Sequence, residues 1–150
     1  MKTLIVVRHS FHESGSEELT RLGSDCIDAL AFRLQDVTAW KLGWVLTSPK
    51  GRALNSATRL ADKLRYPHKH FDCLYSWDVY EEQQVLDLIQ QQAADNEVLV
   101  VVIHEPFVGK LIALFAREVL GVEWEVRSFL QTEGCVIDCE QKTITEVSGL

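Results

Sequence analysis

The sequence predicts an α/β fold, a three-layer α/β/α sandwich with a mostly parallel central sheet, and three observations lead there. Strand-like apolar segments alternate with amphipathic helical segments along most of the chain, the pattern left by strand–helix–strand units with parallel strands. The segment EVLVVVI at 97–103 is a continuous β-branched run, as expected of a strand covered on both faces. The last two strand-like segments, 134–139 and 143–147, are separated only by a short turn and form a closing hairpin.

Each element can be justified in order. TLIVVR at 3–8 is a buried strand that runs straight into Arg8, His9 and Ser10. A helix then begins near Ser16 or Thr20, with Leu19, Leu22, Cys26, Leu30 and Leu34 on one face. GWVLTS at 43–48 is a second strand. After Pro49 a helix places Ala53, Ala57, Leu60, Ala61 and Leu64 on one stripe, and Tyr66-Pro67 ends it. FDCLY at 71–75 reads as a third strand. A helix around 79–93 turns Val85, Leu86, Leu88 and Ile89 inward, and the 97–103 strand follows. Pro106 opens a helix with Val108, Leu111, Ile112, Phe115 and Val119 inward.

At 150 residues the chain reads as one domain, 1–150, with enough apolar surface for a single core. Its 47% hydrophobic and 25% charged residues describe a globular protein, not a disordered one. A net charge of −7 argues against a nucleic-acid partner or an anionic membrane surface. The longest apolar runs are strand-length, so no membrane span is expected, and the start reads as mature protein rather than a signal peptide. Cys26, Cys73, Cys135 and Cys139 form no CxxC pair. Cys135 and Cys139 on one strand would stand about 13 Å apart, too far for a disulfide. Free thiols fit a cytoplasmic location. His68 and His70 read as exposed turn residues, and Trp40, Trp44, Trp77 and Trp124 as packing residues.

The polar residues collect where an open α/β sheet binds ligands, beyond the carboxyl ends of its strands. The first strand ends on Arg8-His9-Ser10. The second ends on TSPKGR, with Arg52 opening a helix, and the fourth on His104-Glu105-Pro106. Two arginines, two histidines and two helix starts would thus meet on one rim. Free amides at a helix start favour phosphate, and arginine adds a fork of donors matched to its oxygens.

These segments also carry a family resemblance. VVRHS resembles the Arg-His-Gly signature of the histidine phosphatase superfamily, the phosphoglycerate mutase-like proteins, with Ser10 in the glycine place. LTRLG at 19–23 resembles its Leu-Thr-x-x-Gly. TSPKGRALNSA at 47–57 resembles its Ser-Pro-x-x-Arg-Ala-x-x-Thr-Ala, and IHEPFVGKLI at 103–112 its His-Asn-Pro-x-Val-Gly, with Glu105 in the Asn place. The stretch between Arg52 and His104 is already used by two helices and a strand. It leaves little room for the cap by which larger relatives enclose small substrates, so the chain resembles the short phosphohistidine phosphatase branch.

The resemblance implies a metal-independent phosphatase that needs no cofactor. His9 would be the nucleophile that forms a phosphohistidine enzyme, with Arg8 and Arg52 holding the phosphoryl oxygens. His104, if protonated, would be a third positive donor. Ser10 and Glu105 are candidates for the phosphate pocket. No motif marks a general acid; Asp78 is best placed by order, followed by Glu81. A labile P–N bond lessens the need for one. The expected partner is therefore a phosphohistidine-bearing protein, and a monomer is compatible with the task. A small phosphoester of the same mechanism, and a non-catalytic phosphate-binding module, are the alternatives.

Overall fold

A computed structural model describes every residue, Met1–Leu150. Its elements are β1 (Thr3–Arg8), α1 (Arg21–Thr38), β2 (Gly43–Thr47), α2 (Gly51–Leu64), β3 (His68–His70), α3 (Glu82–Ala93), β4 (Val98–Ile103), α4 (Phe107–Phe115), β5 (Glu133–Asp138) and β6 (Thr143–Ser148). They form one six-stranded sheet in the order β3-β2-β4-β1-β5-β6. The pairings β3·β2, β2·β4 and β4·β1 are parallel, whereas β5 and β6 close the sheet antiparallel.

The two faces of the sheet carry separate cores. Ile5, Val7, Val45, Val98, Val100 and Val102 pack on one side against α1 and α2, through Ile27, Leu30, Leu34, Ala57 and Leu60. Leu4, Val6, Leu99, Val101 and Ile103 pack on the other against α3 and α4, through Val85, Ile89, Leu111 and Phe115. Alternate residues of β1 and β4 thus enter opposite cores, which is why both strands read as unbroken apolar runs. Burying each such side chain contributes roughly 1.5–3 kcal/mol, enough to hold the central strands rigid.

Helix α1 starts where its cap chemistry dictates. Thr20 is the N-cap, and its Oγ1 accepts a hydrogen bond from the Gly23 N–H at 2.9 Å. Arg59 of α2 holds Asp28 of α1 through paired bonds of 2.9 and 2.8 Å, and the guanidinium keeps that carboxyl below its usual range.

Five expectations need correction. The third strand is His68–His70, not 71–75; Asp72–Leu74 is instead a turn of 3-10 helix that drops Leu74 into the core. His68 and His70 are accordingly exposed edge-strand residues rather than turn residues. Val119 is 39% exposed, because the chain past Phe115 widens into a π turn and buries Leu120 instead. Leu22 is 58% exposed in the first turn of α1, off the buried face. Trp40 lies fully exposed at a positive φ of 64°, so it is no packing residue, while Trp77 is buried and meets Phe107 at 4.6 Å between centroids.

Candidate active site

The sheet order places β2, β4 and β1 side by side, with parallel register from Thr47 to Val102 and from Arg8 to Ile103. The carboxyl ends of these three strands therefore open onto one edge. That edge carries a cleft of about 340 Å³ lined by Arg8, His9, Lys50, Arg52 and His104, and also by Glu17, Tyr75 and Glu105. Seven of the eight are arginine, lysine, histidine or glutamate; Tyr75 is the one hydrophobic residue among them.

His9 is 5% exposed and directly follows β1. Its Nδ1–H donates to the Ser10 carbonyl at 2.9 Å, which leaves Nε2 carrying the lone pair. Burial lowers its pKa to about 4, helped by the positive charge of Arg8. At neutral pH the ring is a fixed, uncharged base at the cleft. Its centroid lies 6.4 Å from that of His104 and 6.0 Å from that of His12.

Arg8 Nη1 donates to the Phe129 carbonyl at 2.8 Å, and its buried Nε has no partner within the protein. A buried donor without an acceptor is costly, so this geometry suits an anion that supplies one. Arg52 forms no ion pair, and it stands at the start of α2 with the unpaired amides of that helix end. His104 donates Nε2–H to the Tyr75 carbonyl at 2.9 Å, and Tyr75 packs edge-on against its ring at 5.1 Å. Burial, with Lys50 and Arg52 nearby, lowers the pKa of His104. An anion between these cations would reverse that field and favour its charged form.

Solved structures match this architecture along almost its whole length. The protein histidine phosphatase SixA, solved in complex with tungstate, is 21% identical with a TM-score of 0.72 over 98% of this chain and 97% of that one. A Nakamurella multipartitia protein assigned as a phosphohistidine phosphatase SixA is 18% identical with a TM-score of 0.70, covering 97% and 92%. Phosphoserine phosphatase from Entamoeba histolytica, in complex with 3-phosphoglyceric acid, is 16% identical with a TM-score of 0.65, covering 99% and 97%. The chain has the histidine phosphatase fold. No protein-family model matches the sequence, and no curated protein matches it.

Within this histidine phosphatase fold the candidate residues separate into two groups. Arg8, His9, Arg52, His104 and Glu105 meet in the cleft. Glu105 lies in the cleft beside Arg8, burial raises its carboxyl pKa, and its buried Oε1 has no hydrogen-bond partner. Ser10 does not line the cleft. It is fully buried, its Oγ–H donates to the Gly23 carbonyl at 2.7 Å, and its N–H donates to Ser56 Oγ at 2.9 Å. Its φ is not positive, so serine in the glycine place carries no backbone strain. The hydroxyl instead ties the signature loop to α1, and Ser56 ties it to α2.

Asp78 and Glu81 also lie outside the cleft lining. Asp78 Oδ1 accepts the N–H groups of Tyr80 and Glu81 at 2.9 and 3.1 Å, while Glu81 Oε1 accepts that of Asp78. Both carboxylates are spent on the turn leading into α3.

Sequence reasoning missed Glu17, Lys50, Tyr75 and Phe129. Lys50 lies inside the quoted TSPKGR segment and Glu17 two residues before LTRLG, so position alone could have suggested both. Nothing local marks Tyr75 or the Phe129 carbonyl. Gly23, the glycine of LTRLG, has a plain steric reason: a Cβ there would collide with the Phe11 carbonyl of the signature loop.

Proposed function

We propose that this protein is a phosphatase that takes the phosphoryl group onto His9 and then hydrolyses it, with phosphohistidine on a partner protein as its substrate. The observation that carries this reading is His9 itself: a buried neutral imidazole, its Nδ1–H fixed on Ser10, in a cleft that Arg8, Lys50 and Arg52 also line. The Nε2 lone pair attacks phosphorus and forms a P–N bond while the bond to the leaving group breaks. The three cations hold the nonbridging oxygens as the group transfers. The leaving nitrogen takes a proton. Glu105 supports that role better than Asp78 or Glu81, since it lies in the cleft and burial favours its protonated form. Water then attacks phospho-His9 in the reverse sense and releases phosphate.

The chain between α2 and β4 holds only β3, one 3-10 turn and α3, which supports a cleft without a cap over it. An open cleft supports a carrier protein as substrate, because a bulky carrier can dock over it. The likeness to a protein histidine phosphatase solved with tungstate, a tetrahedral oxyanion, supports the same reading. The test is to incubate the protein with phosphoramidate, quench, and measure acid-labile, alkali-stable phosphate on the chain. The parent should label and His9→Ala should not. Equal labelling of both would remove His9 as the nucleophile. Comparing turnover of a phosphohistidine protein with that of phenyl phosphate then separates a protein substrate from a small phosphoester.

A further inference from the structure

Glu17 is an unexpected resident of an anion-binding cleft. It arrives from the loop between β1 and α1, and its side chain packs on Gly51, the first residue of α2. The contact is close enough that a Cβ on Gly51 would overlap both the carboxylate and the Cβ of Glu17. The backbone around it is fixed. Asn55 Nδ2 donates to the Glu17 carbonyl at 2.7 Å, and Glu13 N–H donates to the Glu18 carbonyl at 2.7 Å. A bridge between His12 and Leu19 closes the base of the loop. Glu17 nevertheless forms no ion pair with Lys50 or Arg52. Its charge therefore faces the cleft without consuming the cations that would hold a phosphoryl group.

Resting on the phosphoryl-transfer reading above, we propose that Glu17 sets the substrate class of this site. Placed at the α2 end of the cleft, it rejects phosphoryl compounds whose leaving group carries an anion near the phosphate. It accepts leaving groups that are neutral or that become cationic, as the imidazole of phosphohistidine does on protonation. One phosphoryl dianion can use Arg8, Lys50 and Arg52. A second anion a few ångströms away would meet the Glu17 carboxylate, which packs on Gly51 at that end of the cleft. Like charges at that range repel strongly in a half-solvated cleft.

The test is equilibrium binding by calorimetry in a His9→Asn background, which removes turnover from the measurement. Phenyl phosphate and phosphoglycolate are compared, since the second carries a carboxylate next to its phosphate. Glu17→Gln should raise the affinity for phosphoglycolate relative to phenyl phosphate on the order of tenfold. Gly51→Ala, which displaces the carboxylate without removing it, should move the ratio the same way, and high salt should shrink the effect. An unchanged ratio, or an equal gain for both ligands, overturns the proposal; so does a cleft that binds neither. Failure of the parent to label on His9 would instead sink the phosphatase reading and leave the binding ratio standing.

Discussion

Acidifying the solution should destabilise this protein through the buried imidazole of His9. In the unfolded chain the imidazole takes its proton near pH 6.5; in the folded protein burial delays this to about 4. Between those values the unfolded state binds more protons, so stability rises with pH across the window and is complete above it. The loss relative to neutral pH is about 2 kcal/mol at pH 5 and about 3 kcal/mol at pH 4. His104 is lowered too and acts in the same direction, so the measurement must isolate His9. Urea denaturation of the parent and of His9→Asn between pH 7.5 and 4 does this, because the asparagine cannot titrate. The variant should gain on the parent by that amount as pH falls, and NMR titration should find one imidazole near pH 4. A His9 ring that titrates at 6 or above would refute the reasoning, since burial would then not be holding its pKa below the ordinary value.

Further outcomes follow from named contacts. Arg8→Ala and Arg52→Ala should each lower kcat by roughly 10²–10³-fold in a phosphatase assay, as expected when one donor to a developing oxyanion is lost. Glu105→Gln should stabilise the fold at pH 7 but not near pH 4, because burial raises the pKa of that carboxyl and the penalty exists only where it is ionised; denaturation at the two pH values checks it. Ser10→Ala should cost about 1 kcal/mol in the same assay by removing the bond to the Gly23 carbonyl, while Asp78→Asn should leave phosphoryl transfer intact. Phe115→Ala, at a position 1% exposed between the sheet and α4, should cost about 3–5 kcal/mol.

The strands and helices were legible wherever burial imposed a period. The β-branched runs of β1 and β4 and the stripes of α1 and α2 announce themselves because each must fill a core face. Reading failed where local geometry overrode pattern. FDCLY has strand composition, yet a single 3-10 turn buries Leu74 more directly. Val119 continues a helical stripe that the π turn rotates out of register. Trp40 is large and apolar, but nothing packs on it.

The division at the site has the same cause. Arg8, His9, Arg52 and His104 were readable because each follows or adjoins a strand end, and parallel strands put those ends on one edge. The order of elements thus determined the fold class and the cationic rim. Tertiary structure alone decided which carboxylates share that rim. Asp78 and Glu81 are placed correctly by chain order yet are consumed by their own turn, while Glu17 and Glu105 reach the cleft from loops. It also decided the role of Ser10, whose hydroxyl turns inward to Gly23 and not toward the cleft. Chain order places residues along an edge; only packing decides where a side chain points.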